Sequence, residues 1–566
     1  MSQSDQFNGR LGLIFASIGA AIGTGNIWRF PRMVGANGGG TFLIPWLIFL
    51  FAWSIPLVIA EYAMGKRSRT GTIGTFRIFA GRRFAWMGLW TAWISTAIGF
   101  YYAVVSGWTL KYFQLGITGA LNGEDVDTTE VWNAFLQSPG QVIFFQFVVI
   151  LLVLGTIWKG AKAIEKVNFY LMISLFALLF LTLFLSLWMD MSDGSLDGAL
   201  FMFTVDFDML MEPEVWINGL SQSAWSCSAG MGMCITYAVY MSKDEDTVLN
   251  AFTMGLANNS ISIIAGLAVL SAIFAVNPDP LATVTGGSSA ITFLALPEVF
   301  AQAPGGAIGP LIMTAMFFLA LSFAALTSMI STVELCVRNF VDHGYERERS
   351  VLITGLALFI FGLPSAILWI KLDSSGVAFP EFLEVQDHIW GYGLMFSGLF
   401  IAFSIWKYGY VKWRAAVDEG TAPPGFAGYL GLGVSAFRDD FINTGDNDLE
   451  VGRWWDVLIY IAFPVLFFIL MASYFSDMIA NTPNVWDPAN PKGLSIILLF
   501  WGVVAALFIG LNKKLIERPL FRNVPEGADA DISELPGGSD ELVGQVGDVI
   551  VGFEHLTDSL DAELAD

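Results

Sequence analysis

The chain has 566 residues, a mean hydropathy of +0.62, 55% hydrophobic residues and only 14% charged residues. Soluble domains carry roughly 25% charged residues, so this composition excludes a soluble enzyme, a nucleic-acid binder and a disulfide-rich secreted module. The formal net charge of −22 is the unusual feature. Three explanations are open: a cation-binding surface, a salty habitat, or acidic tails.

Apolar runs long enough to cross a bilayer recur along the chain. They predict an all-α integral membrane protein with twelve transmembrane helices, which we number 1 to 12 and name by these numbers throughout. The predicted spans are 11–35, 41–64, 84–115, 141–158, 165–187, 214–240, 246–275, 308–340, 350–370, 387–408, 454–476 and 494–512.

Helix 1 contains a stretch that disfavours regular helix in its middle. Gly19, Gly23 and Gly25 lie there, followed by Asn26. Each glycine costs about 1 kcal/mol relative to alanine inside a helix, so local unwinding is predicted. Gly19 and Gly23 also satisfy the small-residue pattern of close helix crossings, and this alternative stays open from helix 1 alone.

Helix 6 has a similar centre, because Ser226 to Gly232 is small and polar. Helices 1 and 6 begin two blocks of five helices, and an odd number of spans inverts the second block relative to the first. Paired interruptions in corresponding positions of inverted halves indicate a substrate and ion site at the membrane midplane, a rule based on transporters of this kind. The sequence therefore predicts a 5+5 inverted repeat with both helices unwound at mid-membrane.

The chain accordingly divides into six predicted parts. They are the N-terminus (1–10), helices 1–5 (11–187), helices 6–10 (188–408), a loop (409–453), helices 11–12 (454–512) and an acidic tail (513–566). Residues 276–307 form a long apolar loop, which either dips back toward the membrane as a lid or packs as an ordinary extracellular loop.

Lys and Arg predict the orientation of the spans. They cluster in the 2–3, 4–5 and 10–11 loops and directly after helix 12, whereas residues 118–140, 188–213 and 276–307 contain none. Only Lys371 and Lys492 interrupt the pattern. Because cytoplasmic loops carry the excess of basic residues, both termini are predicted to be cytoplasmic. The short 3–4 loop without a cysteine pair favours the plasma membrane of a prokaryote.

Several motifs are then recognisable as those of a known family. They are Gly23 to Pro31 (GTGNIWRFP), Asn37 to Gly40, Ile44-Pro45, Glu61-x-x-Met64-Gly65, Tyr101-Tyr102, Gly107 to Thr109, Thr236 to Ala238 and Leu326 to Ser328. In order and spacing, from helix 1 to helix 10, the chain resembles the neurotransmitter:sodium symporter family, and in particular its bacterial leucine-transporter pattern. The resemblance implies sodium-driven uptake of an amino acid or amine by alternating access.

The resemblance also implies two sodium sites. The first would use Ala21, Asn26, Ser226 and Asn258 together with the substrate carboxylate, and the second would use Gly19, Ile22, Ala324, Thr327 and Ser328. Considered alone, Thr327 and Ser328 would more often bond back to carbonyls of their own helix. Within the family pattern, sodium ligation is the preferred interpretation.

The family pattern places the substrate between the two broken helices. Its contacts would be Ala21, Gly23, Thr24, Gly25, Ile98, Tyr102, Trp225, Ser226, Ser228, Met231, Ser328 and Thr332. Gly23 stands where amine transporters carry an aspartate, so the substrate should bring its own carboxylate, which Tyr102 would bind. Trp225 replaces a more usual phenylalanine. We expect a neutral amino acid, hydrophobic or aromatic.

The gates and the anion site follow the family with departures. Arg29 and Asp387 match the extracellular gate. Asp342 matches the acid of the cytoplasmic gate, but Ser4 and Phe7 replace its usual Arg and Trp, so Arg10 or another base would serve and the resting state would shift toward inward-open. Gln222, Ser226, Asn258 and Ser262 match ligands of chloride-dependent members, yet Trp46 replaces the chloride tyrosine.

Two acids near the anion site have simpler explanations. Glu61 near an end of helix 2 is interpreted as structural, and Glu334 is predicted to pair with Arg338 at i,i+4. Chloride is therefore a possible co-ion, and these acids are the alternative source of negative charge.

Two alternatives to a transporter are a sensor or channel on the same fold and an intramembrane enzyme. A non-transporting sensor or a channel on the same fold would present the same binding residues. An intramembrane enzyme would need convergent acids, histidines or metal ligands, whereas His343, His388 and His555 are scattered and Cys227, Cys234 and Cys336 form no metal pattern. We therefore predict no enzyme, no nucleic-acid partner, and the lipid bilayer and an amino acid as the partners.

The acidity has definite positions in the chain. Residues 118–140 hold four acids, residues 188–214 hold seven, and the tail from Asn523 to Asp566 holds twelve, all without a base. Without these 23 acids the remaining net charge is +1. The sequence thus predicts a nearly neutral membrane body with acidic appendages, the tail being disordered rather than a short regulatory helix.

Overall fold

The computed structural model describes residue 7 and residues 10–122, 126–191, 194–242, 245–285, 291–373, 376–444 and 447–517. The predictions for Ser4, His555 and the acidic tail from Asn523 onward lie outside these residues.

Ten helices of the described ranges are long and apolar enough to cross a membrane, judged by length and composition. They are helix 2 (Gly40–Ser68), helix 3 (Arg82–Ile117), helix 4 (Pro139–Ile157), helix 5 (Ala161–Asp190), helix 7 (Thr247–Val276), helix 8 (Ile308–Asp342), helix 9 (Arg347–Ile367), helix 10 (Glu381–Asp418), helix 11 (Arg453–Asn481) and helix 12 (Leu494–Glu517). Each overlaps its predicted span, so the class of a helical membrane protein is confirmed.

The two remaining predicted spans consist of shorter helical pieces. Helix 1 comprises Arg10–Ala21, a π-helical turn Gly25–Arg29 and the helix Phe30–Ala36. Helix 6 comprises Pro213–Ser226 and Met233–Ala238. Between the pieces, the backbone at residues 22–24 and 227–232 is not continuous α-helix.

Helices 3 and 8 pack along each other at the centre of the bundle. Glycines on helix 3 allow the close approach, since a Cβ at Gly116 would stand 3.1 Å from the Cα of Ala315, and one at Gly99 would stand 3.0 Å from the Cγ2 of Thr332. Small residues at such crossings let two backbones approach without a steric clash. The peripheral helices instead expose large apolar side chains, as expected for a lipid-facing surface; examples are Phe184 on helix 5, Leu356 on helix 9 and Phe468 on helix 11.

Short helices occupy several connections between the long ones. They are Thr72–Ala80, Thr128–Leu136, Asp197–Phe203, Phe207–Leu210, Pro280–Thr285, Ile291–Ala301, Phe426–Gly428, Tyr429–Gly433, Val434–Phe437 and Arg438–Ile442. The last four lie within the predicted 10–11 loop, where buried Phe437 and Phe441 pack against Phe79 of the short helix after helix 2. Helix 10 also continues to Asp418, ten residues beyond its predicted end at 408. Apolar side chains at 437 and 441 thus make much of this connection an ordered part of the body.

The described part of the 276–307 loop is packed on the bundle. Ile291, Thr292 and Phe293 are buried, and the ring of Phe293 stacks on Trp132 with 5.0 Å between centroids. Phe293 also meets the edge of Trp28, at the helical turn that follows the helix 1 break, at 5.3 Å. This apolar loop therefore contacts the region of the break directly.

A two-stranded hairpin, absent from the all-helical prediction, lies between helices 9 and 10. Strand β1 (Ile370–Leu372) pairs antiparallel with β2 (Ala378–Pro380). Here Lys371 pairs with Glu381 at 2.6 Å and Lys492 with Glu384 at 2.5 Å. The two lysines that interrupt the predicted charge pattern are therefore both partnered by carboxylates.

Candidate functional site

The break in helix 1 has side-chain partners for its backbone. The amide of Gly23 donates to Oδ1 of Asn26 at 2.9 Å, and the amide of Thr24 donates to the Tyr102 hydroxyl at 3.1 Å. A helix end leaves carbonyls and amides without intrahelical partners, which is why such groups need external ones. The last carbonyls of Arg10–Ala21, including that of the predicted ligand Ala21, are of this kind.

The break in helix 6 contains three residues with left-handed backbone. Ser228, Gly230 and Gly232 have φ values of 51°, 89° and 79°. Glycine adopts this region readily, whereas Ser228 does so at a cost that its surroundings must offset. Oε1 of Glu61 accepts from the amide of Gly230 at 2.6 Å, so this buried carboxylate supports the break. The structural interpretation of Glu61 agrees with this contact.

The two breaks lie side by side. The Ser228 hydroxyl donates to the Ala20 carbonyl at 3.2 Å, and Nδ2 of Asn26 donates to the Ser226 hydroxyl at 3.3 Å. The glycines of helix 1 differ in the space beside them. A Cβ at Gly23 would stand 2.8 Å from Ser328 Oγ and 3.1 Å from the Tyr102 hydroxyl, whereas one at Gly25 would meet nothing within 4 Å.

Tyr102 is placed to donate a hydrogen bond into the space between the breaks. Its oxygen accepts from the amide and, at 3.2 Å, from the hydroxyl of Thr24. A phenol has one hydrogen to donate and two lone pairs to accept with. Because Thr24 donates both of these hydrogen bonds, the hydrogen of Tyr102 can be donated to another acceptor. A carboxylate is a strong acceptor.

The other predicted substrate contacts are mainly apolar side chains. Ile98 and Met231 are buried, and the carbonyl of Met231 is held by the Ser95 hydroxyl at 2.6 Å. The Thr332 hydroxyl bonds back to the Ser328 carbonyl at 3.0 Å. Its methyl group faces helix 3 at Gly99, so this threonine is less polar in the pocket than its residue type suggests.

Four side chains predicted for the first sodium site and the chloride site form one buried cluster. Nδ2 of Asn26 lies 2.8 Å from both Oδ1 of Asn258 and Oγ of Ser262, and Nδ2 of Asn258 donates to Ser226 at 2.9 Å. These neutral oxygens are the ligand type that a hard cation prefers.

Two other members of the predicted anion site also lie inside the protein. Oε1 of Gln222 and Nε1 of Trp46 are both buried without a hydrogen-bond partner among the described residues. The Trp46 ring packs on Phe30 with 4.6 Å between centroids. Trp46, at the sequence position of the family tyrosine, thus has an N–H donor without a partner among the described residues.

The residues predicted for the second sodium site are also together. The Thr327 hydroxyl lies 3.0 Å from the Ala324 carbonyl and 3.3 Å from the Ile22 carbonyl, and the Ser328 hydroxyl lies 3.0 Å from the same Ile22 carbonyl. A Cβ at Gly19 would stand 3.3 Å from the Thr327 Cβ, so helix 1 passes close by. Thr327 bonds back within its own helix as well, at 3.2 Å from the Phe323 carbonyl. Both interpretations of these hydroxyls therefore have contacts here.

The predicted extracellular pair is near but takes other partners in this conformation. Nη2 of Arg29 donates to the Ser221 hydroxyl at 3.1 Å, and its Nη1 has no hydrogen-bond partner among the described residues. Asp387 accepts from the Tyr101 hydroxyl at 2.6 Å. Trp225 lies against this region, because a Cβ at Gly391 would stand 2.6 Å from its ring.

At the other end, the predicted ion pair of Glu334 with Arg338 is wrong. Arg338 pairs with Asp342 at 2.7 Å, whereas Glu334 pairs with Arg347 of helix 9 at 2.5 Å and accepts from Tyr240. Arg338 has an acid both four residues before it and four residues after it, so helical spacing alone could not choose between them. Arg347, thirteen residues from Glu334, was missed because its contact is tertiary.

Within the described part of the chain, Arg338 is thus the base paired with Asp342, the acid predicted for the cytoplasmic gate. Asp342 also accepts from the amide of Gly71 at 2.5 Å. Phe7 packs edge-on against Tyr237 and Tyr240, at 6.0 and 5.8 Å between centroids, and its amide donates to the Tyr240 carbonyl at 3.2 Å. Phe7 and Asp342 are thus both engaged in contacts at this end, and the predicted shift toward inward-open stays a prediction.

Comparison with known proteins agrees with this arrangement. The model of the Sodium:neurotransmitter symporter family matches residues 4–137 and 133–427. The uncharacterised sodium-dependent transporter YhdH of Bacillus subtilis is 31% identical over 415 residues, covering 71% of this chain and 88% of that protein. The sodium-dependent neutral amino acid transporter SLC6A17 of Rattus norvegicus is 30% identical over 299 residues, covering 47% of this chain and 40% of its own length.

A solved structure, that of MhsT in complex with L-phenylalanine, superposes with a TM-score of 0.67 at 28% identity. The match covers 83% of this chain and 99% of the MhsT chain. The protein is a helical membrane transporter. It belongs to the sodium:neurotransmitter symporter family, whose members are sodium-dependent transporters rather than enzymes.

Proposed function

We propose that the protein couples sodium entry to the uptake of a neutral amino acid by alternating access. The observation that carries the proposal is the meeting of two interrupted helices, linked by Ser228 to Ala20 and by Asn26 to Ser226, beside the hydroxyls of Thr327 and Ser328. We take these interruptions as the mid-membrane unwound segments of a twelve-helix, 5+5 inverted repeat with cytoplasmic termini. Irregular backbone at membrane depth is tolerated where it lines a cavity.

The substrate carries its own carboxylate, because position 23 has neither an acid nor room for one. The Gly23 Cβ position already contacts Ser328 and Tyr102. The free hydrogen of Tyr102 and the amides at the start of Gly25–Arg29 supply donors for the carboxylate, the latter at the positive end of a half-helix. Carbonyls of the helix 6 break receive the amino group.

The side chain of the substrate is hydrophobic or aromatic. The apolar side chains of Ile98, Met231 and Trp225 line the space for the substrate side chain. The Thr332 hydroxyl is hydrogen-bonded within its own helix. The names of two related proteins, one a neutral amino acid transporter and the other solved with phenylalanine, point to the same class.

Two sodium ions travel with the substrate. The first is taken up at Ala21, Asn26, Ser226 and Asn258, next to the substrate carboxylate, and the second at Gly19, Ile22, Ala324, Thr327 and Ser328. Both sets offer neutral oxygens from helix ends and side chains, so each ion can replace the hydrogen bonds that now satisfy those oxygens. Sodium bound between helices 1 and 8 would tie the mobile break to the central scaffold.

The gates would work in alternation around this site. Pairing of Arg29 with Asp387 closes the extracellular side after the substrate binds, with Trp225 and Tyr102 beneath. Separation of Asp342 from Arg338 and release of Phe7 then open the cytoplasmic side. Chloride is a second proposed co-ion at Gln222, Ser226, Asn258 and Ser262, and the unpartnered N–H of Trp46 stands in for the family hydroxyl.

Uptake into proteoliposomes tests the main proposal. With an inward sodium gradient, a labelled amino acid should accumulate above equilibrium, and choline in place of sodium should abolish the accumulation. Binding of a panel of amino acids in a scintillation assay identifies the substrate. Equilibration without accumulation would indicate a channel, binding without uptake a sensor, and preference for a monoamine lacking a carboxylate would refute the substrate class.

Two matched glycine variants and one ion replacement refine the test. Gly23→Ala should weaken substrate binding severely, because its methyl group would enter the space of Ser328 and Tyr102, whereas Gly25→Ala should be milder and should disfavour the largest substrates. Replacing chloride by gluconate should slow uptake, and an unchanged rate would remove chloride from the mechanism.

A further inference from the structure

A second cavity lies away from the broken helices. It has a volume of about 340 Å³ and lies between helices 3, 8, 9 and 12, near the ends of helices 8 and 12. This volume falls at the lower end of the range of ligand pockets in proteins, roughly 300–1,000 Å³. The proposed transport cycle assigns it no role.

The wall of the cavity is apolar, and most of its polar groups are already bonded. Thr96 and Thr354 donate to carbonyls of their own helices at 2.7 and 2.9 Å, and Asn339 donates to Leu335 at 2.9 Å. Two lining groups are exceptions: Nε1 of Trp93 and Nε2 of His343 have no partner among the described residues, while Nδ1 of His343 lies 2.8 Å from the Asn339 carbonyl. An occupant must therefore be apolar along most of its length.

The cavity is reached from the lipid-facing surface. Ile353 and Phe361 of helix 9 line it and are also 37% and 52% exposed. Trp93 and Thr96 of helix 3 form the opposite, interior wall, with Trp93 edge-on to Phe508 of helix 12 at 6.3 Å between centroids. A lipid chain can enter between these helices without crossing an aqueous layer.

The rim at this end of the bundle carries a net positive charge. Residues 82–83, 346–349 and 513–517 contain six bases and three acids, and one of the bases, Arg347, is paired with Glu334, which leaves an excess of two positive charges. Arg349 stacks over Tyr345, which lines the cavity, at 5.6 Å, and exposed Lys514 adjoins the lining residue Leu515. Basic pockets between transmembrane helices on the cytoplasmic side bind anionic headgroups, and this is the side assigned here to the termini.

We propose that this cavity binds one acyl chain of an anionic phospholipid from the adjacent leaflet. The chain lies among the apolar walls of helices 3, 8, 9 and 12, and the headgroup lies at the rim with Arg349 and Lys514. Because helices 3 and 8 also bear Tyr102 and Ser328, the bound lipid braces the scaffold that carries the substrate site. The site is separate from the proposed transport function and stands or falls independently of it.

Photo-crosslinking in reconstituted vesicles tests the site. The full chain is placed in phosphatidylcholine with a trace of either phosphatidylglycerol or phosphatidylcholine that carries a diazirine in its acyl chain, and labelled peptides are identified by mass spectrometry. Labelling of Trp93 to Thr96, on the interior wall, is compared with labelling of Phe184 on the open lipid face of helix 5. We expect a ratio about fivefold higher per basic contact for phosphatidylglycerol.

Variants of the rim and wall give matched controls. Arg349→Gln with Lys514→Gln should lower the phosphatidylglycerol ratio to the phosphatidylcholine level, and Ala357→Trp, which fills the cavity, should remove interior labelling by both probes. Ala506→Trp, on the exposed face of helix 12, should change neither ratio. A phosphatidylglycerol labelling ratio that stays above the phosphatidylcholine ratio in the double rim variant would overturn the role of the headgroup.

Two rival occupants are separated in the same assay. Interior labelling by a diazirine fatty acid but not by the phospholipid probes would assign the cavity to a free acid and overturn the proposal. Truncation after Glu517 should leave labelling unchanged. Interior labelling that appears only after truncation would assign the cavity to the acidic tail, and absence of interior labelling in wild-type protein with either phospholipid would also refute the site.

Discussion

The two ends of the transport path hold their buried charges in different ways. At the end predicted to be cytoplasmic, Arg338 pairs with Asp342 and Arg347 with Glu334. At the end predicted to be extracellular, Arg29 and Asp387 contact neutral hydroxyls of Ser221 and Tyr101 instead of each other. A buried charge pair is costly to break, because each partner is then left uncompensated. We call the end with paired charges the locked side, and the end where Arg29 and Asp387 are not paired with each other the poised side.

The largest expected effect follows from breaking the locked side. Arg338→Gln leaves Asp342 buried without its base, at a cost of roughly 3–5 kcal/mol to the closed cytoplasmic end. Exposure of that end should then rise by roughly a hundredfold or more. The measurement is the labelling rate of Ser17→Cys, a buried position in the first part of helix 1, from the cytoplasmic side in a background without the three native cysteines.

An exposed pair of the same type serves as the control. Arg414 and Asp418 lie 3.7 Å apart with side chains 50% and 60% exposed, so Arg414→Gln should change the labelling rate by less than about fivefold. The double variant Arg338→Gln with Asp342→Asn should recover part of the loss, since neither charge is then alone. Equal labelling in Arg338→Gln and wild-type protein would refute the assignment of Arg338 to the gate.

A smaller effect of opposite direction is expected at the poised side. Tyr101→Phe removes the hydrogen bond that holds Asp387 away from Arg29, and hydrogen bonds to charged groups contribute about 1.5–3 kcal/mol. The extracellular gate should close more readily, so external reagents should reach the pocket at least about tenfold more slowly. Tyr112→Phe removes a buried hydroxyl that has no partner among the described residues and should leave access unchanged. Faster access in Tyr101→Phe would contradict the model of the gate.

The fit of Trp225 beneath the gate gives a third test. In Gly391→Ala the new methyl group would stand 2.6 Å from the indole and displace it, which typically costs about 1–3 kcal/mol for an overpacked site. Substrate affinity should fall about tenfold in equilibrium binding. Gly398→Ala on the same helix meets its nearest neighbour at 3.4 Å and should bind normally. If the two variants bind alike, Trp225 does not bear on the pocket.

The smallest effect concerns the charges near the hairpin. Lys492 contacts Glu381 and Glu384 with its side chain 32% exposed, and exposed ion pairs contribute about 0–1 kcal/mol. Lys492→Gln should therefore change uptake by less than about fivefold, and the change should diminish at high salt. A severe, salt-independent loss would show that this cluster belongs to the gate rather than to the surface.

Much of this arrangement follows from the sequence, for identifiable reasons. Long apolar runs define helices 2 to 5 and 7 to 12, because a bilayer demands length and apolarity. The residues of the two sites were transferred from the family motifs, and the structure brings Asn26, Ser226 and Asn258 together. Long-range choices among equivalent partners were not predictable. Arg338 had two acids at equal spacing, and Arg347 reaches Glu334 only after helices 8 and 9 pack.

The contrast between Gly23 and Gly25 bears on how the substrate selectivity of such a transporter can change. A methyl group at position 23 would crowd Ser328 and Tyr102, the proposed donor to the substrate carboxylate, while one at position 25 would meet no atom within 4 Å. Position 23 thus has no room for a larger residue, whereas position 25, two residues further along the chain, has room for one. Single substitutions at Gly25 could therefore change which substrate side chains are accepted while leaving the proposed carboxylate contacts in place, which is a short evolutionary route to a different substrate selectivity.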